Sequence, residues 1–361
     1  MTIPVDLIIE TFLRAPVKSI CRAKAVCKLW FSLFVDSIFA KRHYAQSKIV
    51  KKVMFFSCFV NEILCVDTSK PLLGEDATCI LQNPMTYSNA YMKIIGTCRG
   101  MILFWVPTSL FIWNPSTGFF GAFRAYPPTI MRISGDFFGL NFYGFGYDPS
   151  EQNYVVVQIY LSKCHPYHRA LVYSLNGASS RDFEHESLKT ITQPCISVHD
   201  GCIGLYFRDS LHWITFNWQT NVDVILGYNL IDSKFYQLNI PGEVQLEEFS
   251  LCCLRNIRQC LALCTVMRDE NWDYIVDIWE MEEYGVHTSW TKVTSMQVSN
   301  NFPGYMLPAC SSNDSIIFVN NETGVMGTWN ARDETLQYTT FDRVVQYEHQ
   351  MIVCEETLLS T

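Results

Sequence analysis

Charged residues are scarce in this chain of 361 residues, and long apolar runs are missing. Asp, Glu, Lys and Arg make up only 17% of the sequence against 49% hydrophobic residues, a composition that excludes a largely disordered protein. No uninterrupted run of about eighteen apolar residues occurs, so we expect no membrane span. Asp6 and Glu10 break the first apolar stretch, so we expect no secretory signal peptide.

The motifs of common enzyme classes are also missing. There is no Gly-x-Ser-x-Gly elbow, no phosphate-binding Walker loop and no His-Glu-x-x-His pair. Gly144 and Gly146 lack the third glycine of a dinucleotide site and run into a turn at Asp148. We therefore expect a protein that is not an enzyme and that uses no cofactor.

Cysteine, by contrast, is abundant, with 15 residues. Without secretion these thiols should be mostly reduced, and we expect the chain in the cytoplasm, with the nucleus as a further compartment. Cys164, His165 and His168 have no second pair of ligands at zinc spacing, and their segment is typical of a solvated loop. An alternating apolar context favours strand core over metal ligation at Cys252, Cys253, Cys260 and Cys264. We expect no metal site.

Charge is unevenly distributed along the chain. Residues 1–52 hold ten Lys and Arg against three Asp and Glu, a net charge of +7. The remainder holds 17 against 32, a net charge of −15. Two parts of opposite charge suggest two different partners.

Residues 1–45, the head, show three short helical patterns. Apolar residues fall at helical spacing up to Leu13, and the first pattern ends before Pro16. The second runs from Val17 to about Ala25, and the third places Cys27, Trp30, Phe31 and Phe34 on one side. Three such helices cannot bury this much apolar surface alone, so the surplus must dock on a partner or on the rest of the same chain.

The head resembles the F-box of plant proteins. The matching segments are Ile3-Pro4-Val5-Asp6-Leu7-Ile8, Leu13-Arg14-Ala15-Pro16-Val17-Lys18-Ser19-Ile20, Val26-Cys27-Lys28-Leu29-Trp30, and Phe39 followed by His43. The resemblance implies docking on a Skp-type adaptor and, through it, on a cullin. By position, the implied contact residues or their immediate support are Ile3, Pro4, Ile8, Leu13, Pro16, Val17, Ile20, Cys27 and Trp30.

After a charged linker at residues 46–52, the body at residues 53–361 has the pattern of strands. Its short apolar runs are rich in β-branched and aromatic residues and are flanked by turn residues: Val53–Val60, Gly100–Val106, Tyr154–Tyr160, Val224–Leu230, Cys260–Met267, Ile275–Met281, Ser315–Val319 and Met351–Cys354. Since these strands should pair among themselves, we expect the body to fold without the head.

A unit of an aromatic residue, a polar residue and a turn recurs in the body. It occurs at Trp113-Asn114, Tyr147-Asp148, Tyr228-Asn229 and Trp329-Asn330. With weaker echoes at Val172-Tyr173-Ser174 and Asp277-Ile278-Trp279, the spacing is irregular but centres near forty to fifty residues. That spacing is typical of the blades of a β-propeller, although a β-sandwich with long hairpins has a similar pattern. The sequence thus predicts a mainly β fold with a small α-helical N-terminal domain: a three-helix F-box followed by a propeller.

The body resembles the F-box-associated interaction region of plant proteins. The resemblance rests on Gly96-Thr97-Cys98-Arg99-Gly100-Met101, Ile112-Trp113-Asn114-Pro115-Ser116-Thr117, Gly144-Phe145-Gly146-Tyr147-Asp148-Pro149, Leu211-His212-Trp213, and Trp279–Val286 with Ser289–Lys292. The overall look is closest to the S-locus F-box group of pollen self-incompatibility, which implies a client like the basic pistil ribonucleases. The implied role is substrate recognition in an SCF-type (Skp-cullin-F-box) ubiquitin ligase, whose clients are ubiquitinated and degraded by the proteasome.

Two other readings of the residues stay open. Three short basic helices are compatible with a helix-turn-helix DNA-binding protein, although Trp30, Phe31 and Phe34 stand where polar base-reading side chains are needed. A propeller hydrolase is the second, although no convergent carboxylates or histidines are recognisable. We expect no nucleic-acid partner and no membrane partner, because the acidic body would repel phosphate.

Overall fold

The computed structural model describes residues 4–57, 62–72, 74–84, 92–106, 109–123, 141–160, 169–175, 180–192, 203–244, 251–299, 305–312, 315–320, 323–330, 332–333, 335–341 and 349–360. Among them, no helix has both the length and the apolar character that crossing a bilayer requires. Cys164, His165 and His168 lie outside the described residues, as does Ile3.

The N-terminal part folds into four short helices rather than the three expected. They are α1 (Val5–Phe12), α2 (Val17–Ala23), α3 (Lys28–Val35) and α4 (Ser37–Gln46). The third helical pattern stops at Asp36, whose backbone is extended and whose side chain accepts a hydrogen bond from the Phe39 amide at 2.9 Å. This N-cap starts α4, which the sequence pattern did not separate from α3.

Beyond these four helices, strands are the main regular element of the described chain. The elements are β1 (Lys51–Ser57), β2 (Glu62–Asp67), β3 (Thr78–Gln82), β4 (Lys93–Cys98), β5 (Met101–Val106), β6 (Ser109–Trp113), β7 (Phe120–Phe123), β8 (Asn141–Asp148), β9 (Asn153–Tyr160), β10 (Arg169–Ser174), β11 (Ser180–Glu184), α5 (Glu186–Lys189), β12 (Ile191–Thr192), β13 (Ile203–Phe207), β14 (Ser210–Asn217), β15 (Val222–Asn229), β16 (Lys234–Asn239), β17 (Leu251–Ile257), β18 (Cys260–Arg268), β19 (Tyr274–Met281), β20 (Trp290–Val298), β21 (Leu307–Ser312), β22 (Ser315–Val319), β23 (Val325–Asn330), β24 (Thr335–Thr340) and β25 (His349–Glu355). All eight runs predicted as strands overlap strands, although Gly100 and Leu230 at the ends of their runs lie in turns.

These strands form blades of four antiparallel neighbours. The blades are A (β25-β1-β2-β3), B (β4-β5-β6-β7), C (β8-β9-β10-β11), D (β13-β14-β15-β16), E (β17-β18-β19-β20) and F (β21-β22-β23-β24). Blades C and D merge into one nine-stranded sheet because β8 and β13 pair in parallel, and β12 adds to β14. The predicted propeller is therefore confirmed.

The first strands of the six described blades form a closed ring. Each of β25, β4, β8, β13, β17 and β21 contacts the next, and β21 contacts β25 again. Blade A takes its inner strand, β25, from the far end of the sequence, where Lys51 pairs with Glu355. Strands from both ends of the body thus pair in one sheet, so the ring closes through backbone hydrogen bonds.

Because every blade has four strands, the first strand of every blade runs in the same direction across the ring. A chain that passes along four antiparallel strands returns to the end from which it started, so each following blade begins at the same face of the ring. Turns between the first and second strands, and between the third and fourth, therefore share one face. We call it the head-side face, because Arg99 in the turn between β4 and β5 contacts Tyr44 of α4 there. Turns between the second and third strands lie on the opposite face, the far face.

The recurring polar residue at the strand ends organises its turn through its side chain. The Oδ1 atom of Asp148 accepts a hydrogen bond from the Ser150 amide at 2.8 Å, and that of Asn229 accepts one from the Ile231 amide at 2.8 Å. The neighbouring aromatic residue packs between blades, as Trp113 of blade B does against Phe56 of blade A, with ring centroids 6.4 Å apart. Turn chemistry and aromatic packing explain the repeat that the sequence showed.

Candidate adaptor surface and its junction with the propeller

Exposed apolar side chains are concentrated in the helical head. Of the 15 large hydrophobic residues exposed in the described part of the chain, eight lie within the first 50 residues. They are Val5, Leu7, Val26, Leu29, Phe31, Val35, Ile38 and Ile49, and we call them the head apolar set. Such a concentration on a surface rich in cations is typical of a protein-binding site.

The inner side of the head is held by a chain of aromatic contacts. Phe12 meets Trp30 and Phe34 with ring centroids 5.0 and 4.6 Å apart, and Phe34 meets Phe39 at 5.2 Å. His43 is buried, and its Nε2 atom lies 2.9 Å from the Ala15 carbonyl oxygen. The helices are thus fixed to one another from within, while the head apolar set stays outside.

The residues implied by the resemblance divide into three groups. Leu13, Val17 and Ile20 are buried at 0, 4 and 0% exposure, so they can support an adaptor surface but cannot contact an adaptor directly. Ile8 and Trp30 are partly buried. The exposed members are Pro4, Pro16 and Cys27.

The residues implied by the F-box resemblance do not include several of the most exposed apolar residues of the head. Phe31 and Val35 are 55 and 52% exposed and lie four residues apart on α3, which places them on one side of that helix. The sequence carried a signal for these residues, because α3 has apolar residues on both of its sides. In the structure, only Phe34 of this helix is fully buried. A helix that is apolar all round needs a second surface to cover it.

The head is joined to the head-side face of the propeller by a stacked arginine. The Arg99 guanidinium lies 4.8 Å from the ring centroid of Tyr44 in α4 and 3.8 Å from that of Tyr147 in blade C. The Tyr44 hydroxyl also donates to the Glu355 carboxylate at 2.9 Å. Burial, and then the neighbouring Glu355 charge, raise the pKa of Tyr44, so its hydroxyl stays protonated and able to donate.

Two further hydrogen bonds cross the same junction. The Lys41 ammonium donates to the Gln152 side chain at 2.7 Å, and the Cys21 thiol donates to the Ser116 carbonyl at 3.5 Å. Head and propeller also share one apolar cluster, which includes Leu13, Ile20, Phe39, Met101, Leu103, Phe145, Leu358 and Leu359. Part of the head's surplus apolar surface is therefore buried against the same chain, and the rest is the head apolar set.

The segment after β25 is fastened beneath the head by Asn114. The Asn114 side chain is fully buried; its Oδ1 atom accepts from the Ser116 amide at 2.8 Å, and its Nδ2 atom donates to the Leu359 carbonyl at 2.8 Å. At Gly100 the backbone has a φ of 77°, and an added Cβ would lie 2.4 Å from the Thr357 Oγ1 atom. Only glycine fits a left-handed turn with this neighbour.

Comparison with known proteins agrees with this architecture. The model of the F-box-associated β-propeller domain matches residues 51–355, which is most of the chain. This chain belongs to the plant F-box proteins. An F-box/kelch-repeat protein of Arabidopsis thaliana is 26% identical over 320 residues, covering 83% of this chain and 81% of that protein. The F-box protein CPR1 of the same plant is 27% identical over 342 residues, covering 87% and 78%.

Of the four cysteines of this F-box protein that were predicted as strand core, Cys252, Cys253 and Cys264 are buried, whereas Cys260 at the start of β18 is partly exposed. Cys253 and Cys264 are buried and face each other across β17 and β18. His212 is fully buried, with its Nε2 atom 2.6 Å from the Tyr284 hydroxyl, and burial lowers its pKa to about 4. Across the described ranges, no three His, Cys, Asp or Glu side chains are grouped so that they could hold a metal ion.

Proposed function

We propose that this F-box protein is the substrate-recognition subunit of an SCF-type ubiquitin ligase. Its F-box binds a Skp-type adaptor and, through it, a cullin, while the propeller holds a client for ubiquitination and proteasomal degradation. The chain supplies binding and orientation, and the chemistry belongs to other subunits. The observation that carries this proposal is the head apolar set, which is left uncovered on an F-box that is fixed to a propeller. We place this activity in the cytoplasm and the nucleus.

Adaptor binding is expected to come from burial of the exposed apolar side chains. Covering a side chain the size of Phe or Val contributes about 1.5–3 kcal/mol, so a few such contacts suffice for a stable complex. The net charge of +7 on residues 1–52 complements an acidic adaptor and speeds association.

The adaptor test uses Phe31→Ala combined with Val35→Ala, and Ile231→Ala as its control. Ile231 is 51% exposed, like the two head residues, but it lies in blade D. Titration calorimetry with a purified Skp-type adaptor should show at least a tenfold rise in Kd for the double variant, since about 1.4 kcal/mol corresponds to tenfold. The Tm of both variants should equal that of the original protein, because the altered side chains are exposed. Unchanged adaptor binding by the double variant contradicts the proposal.

Substitutions at Leu13 or Ile20 test adaptor contact poorly. Both side chains are completely buried, and introducing a charge there would unfold the F-box before any contact could be assessed. Loss of binding in Leu13→Asp or Ile20→Asp would therefore not separate a contact from a folding defect.

We place the client on the far face of the propeller, because the F-box covers part of the head-side face. Two large exposed aromatic residues lie in far-face turns of neighbouring blades: Trp218 in blade D, 56% exposed, and Trp272 in blade E, 65% exposed. Exposed tryptophans are frequent anchors of protein interfaces.

The turn that carries Trp272 is ordered by Asp269. The Oδ1 atom of Asp269 accepts from the amides of Asn271 and Asp273 at 2.8 and 2.9 Å, and its carbonyl accepts from the Trp272 amide at 3.0 Å. Trp272 itself has a φ of 67°, a left-handed conformation that is costly for a bulky residue. A strained aromatic residue held outward by a well-bonded turn supports a binding role.

We infer that the client is basic, as are the ribonucleases recognised by the S-locus group that this chain resembles. Asp269, Glu270 and Asp273 flank Trp272 in the sequence, and the Arg268 guanidinium lies 5.4 Å from the Trp272 ring centroid. Residues 53–361 carry a net charge of −15. Opposite charges raise the association rate, and salt screens this effect over about 8 Å at physiological ionic strength.

The client test measures binding of purified pistil ribonucleases, basic and acidic, to the intact protein at low and high salt. Basic ribonucleases should bind, with an association rate that falls with salt and a dissociation rate that changes less. Trp272→Ala should weaken binding at least tenfold, while Tyr338→Ala, which removes an aromatic residue that is 57% exposed on blade F, should not. Preference for acidic proteins, or indifference to salt, contradicts a basic client.

A further inference from the structure

Two thiols face each other across neighbouring strands of blade A. Cys65 on β2 and Cys79 on β3 are direct cross-strand partners, and both belong to the reduced cysteines of the structure. Directly opposed residues in an antiparallel pair have Cα atoms about 4.5–5.5 Å apart, within the range of about 4.4–6.8 Å that a disulfide spans. The pairing therefore holds the two Cα atoms at a separation that a disulfide can span.

The two thiols differ strongly in access to solvent. Cys65 is only 2% exposed, whereas the Cys79 side chain is exposed at the start of β3. An oxidant arriving from solvent thus meets Cys79 first, and Cys65 lies behind it. This is the arrangement of an attacking thiol with a resolving partner.

Both cysteines line a small cavity between blades A and B. Its volume is ≈ 40 Å³, enough for about one water molecule, and Lys52, Cys354, Ser116 and Glu355 also line it. The Lys52 ammonium lies in the wall and forms an ion pair with Glu356 at 2.8 Å. A cation beside a thiol favours the thiolate, the form that reacts.

The protonation of the pair agrees with this geometry. The hydrogen bond from Cys65, and then the positive charges of Lys52 and of Lys18 in α2, lower the pKa of Cys79. The pKa of Cys65 is raised by the same hydrogen bond and by burial. Cys79 is therefore the thiol of the pair that loses its proton more readily.

We propose that Cys65 and Cys79 form a peroxide-reactive dithiol site that closes reversibly into a disulfide between β2 and β3. The Cys79 thiolate attacks one oxygen of hydrogen peroxide, the O–O bond breaks, and hydroxide leaves, which gives a sulfenic acid on Cys79. Cys65 then attacks the Cys79 sulfur; the S–S bond forms and the sulfenic oxygen leaves as water, with the Cys65 proton. One peroxide is reduced by two electrons, and a cellular thiol restores the dithiol by exchange.

The dithiol site lies beside the junction between the F-box and the propeller. Ser116 and Glu355 in the cavity wall are also the residues that Cys21 and Tyr44 of the F-box contact. Blade A is the blade that closes the ring through β25. A disulfide here would tie two strands of that blade directly beside the junction with the F-box.

The experiment treats the intact protein with increasing hydrogen peroxide, blocks remaining thiols and maps the products by mass spectrometry. The expected product is one disulfide that joins the peptides of Cys65 and Cys79, reversed by dithiothreitol. The control is Cys260, which is partly exposed, pairs with Ile257 and has its pKa raised by desolvation. In the untreated protein, Cys79 should be alkylated at least tenfold faster than Cys260 at neutral pH.

Two conservative variants separate the steps of the reaction. Cys65→Ser should leave Cys79 as a sulfenic acid that dimedone traps, and Cys79→Ser should leave Cys65 unreacted. Circular dichroism of both variants checks that the fold is kept, and the wild-type product map decides the question if either fails to fold. The proposal is overturned if peroxide yields no Cys65–Cys79 disulfide, or if Cys79 reacts no faster than Cys260.

Discussion

The stacked Arg99 side chain offers a direct test of how the F-box is attached to the propeller. Its contact with Tyr147 lies within the propeller, so only its contact with Tyr44, at 4.8 Å from the ring centroid, crosses the junction. A cation–π contact contributes about 0.5–2 kcal/mol, depending on its exposure. Because Arg99 and Tyr44 are both partly buried, we expect about 1 kcal/mol for this contact.

This energy can be isolated by a double-mutant cycle of Arg99→Ala and Tyr44→Leu. Tyr44→Leu also removes the hydrogen bond to Glu355, but that loss appears in both the single and the double variant and cancels in the coupling energy. The readout is native-state hydrogen exchange of amides in α4, which reports the free energy of local opening. Loss of a coupling of about 1 kcal/mol should make opening of the junction roughly fivefold more frequent.

A matched control removes an equivalent stack elsewhere. The Arg268 guanidinium lies 4.9 Å from the ring centroid of Tyr274 in blade E, far along the chain from the F-box. Arg268→Ala should leave the exchange of α4 unchanged. A coupling energy between Arg99 and Tyr44 below about 0.3 kcal/mol would refute the view that this stack fastens the F-box.

Two further predictions concern the stability of the whole chain. A truncated chain that begins at Lys51 should be less soluble and melt at a lower temperature than the intact protein, because removal of α1–α4 uncovers Leu358 and Leu359, at about 1.5–3 kcal/mol for each Leu-sized side chain. An unchanged melting temperature would contradict this and would mean that the body does not depend on the head. His212 should make stability pH-dependent: its pKa is about 4 when folded, below the ordinary value of 6.5, so the folded state binds fewer protons and stability is lost as pH falls from 6.5 towards 4. Urea unfolding at pH 7 and pH 5 should differ by about 2 kcal/mol more in the original protein than in His212→Gln, and equal pH dependence would contradict this assignment.

The fold was largely predictable because its determinants are local. Asn114, Asp148 and Asn229 order their turns with their own side chains, so the repeat of blades is visible in the sequence. The break at Asp36 was missed because apolar residues continue at helical spacing on both sides of it, and only the cap separates α3 from α4. Ring closure through β25 was not predictable, since pairing between Lys51 and Glu355 depends on residues about 300 positions apart.

The proposed adaptor surface was predictable only in part, for a reason that lies in the packing of the F-box. A motif marks residues without saying which way they face, and Leu13, Val17 and Ile20 turn inward in this chain. Their burial depends on long-range contacts, because the cluster that contains them also contains Leu358 and Leu359. Phe31 and Val35 remain outside because that cluster covers the opposite side of the head.

In the proposed function, the junction between the F-box and the propeller fixes the orientation in which a bound client is presented for ubiquitination. Transfer of ubiquitin to a bound client requires a lysine at a fixed distance from the ligase core, and proximity of this kind is worth several kcal/mol only while the geometry is kept. The F-box is held by Tyr44, Lys41 and Cys21 against turns of several blades, so the far face keeps one orientation to the adaptor. Arg99→Ala should therefore lower the ubiquitination rate of a bound client while leaving the affinities for adaptor and client unchanged. Equal rates with an opened junction would mean that the orientation of the propeller does not limit transfer.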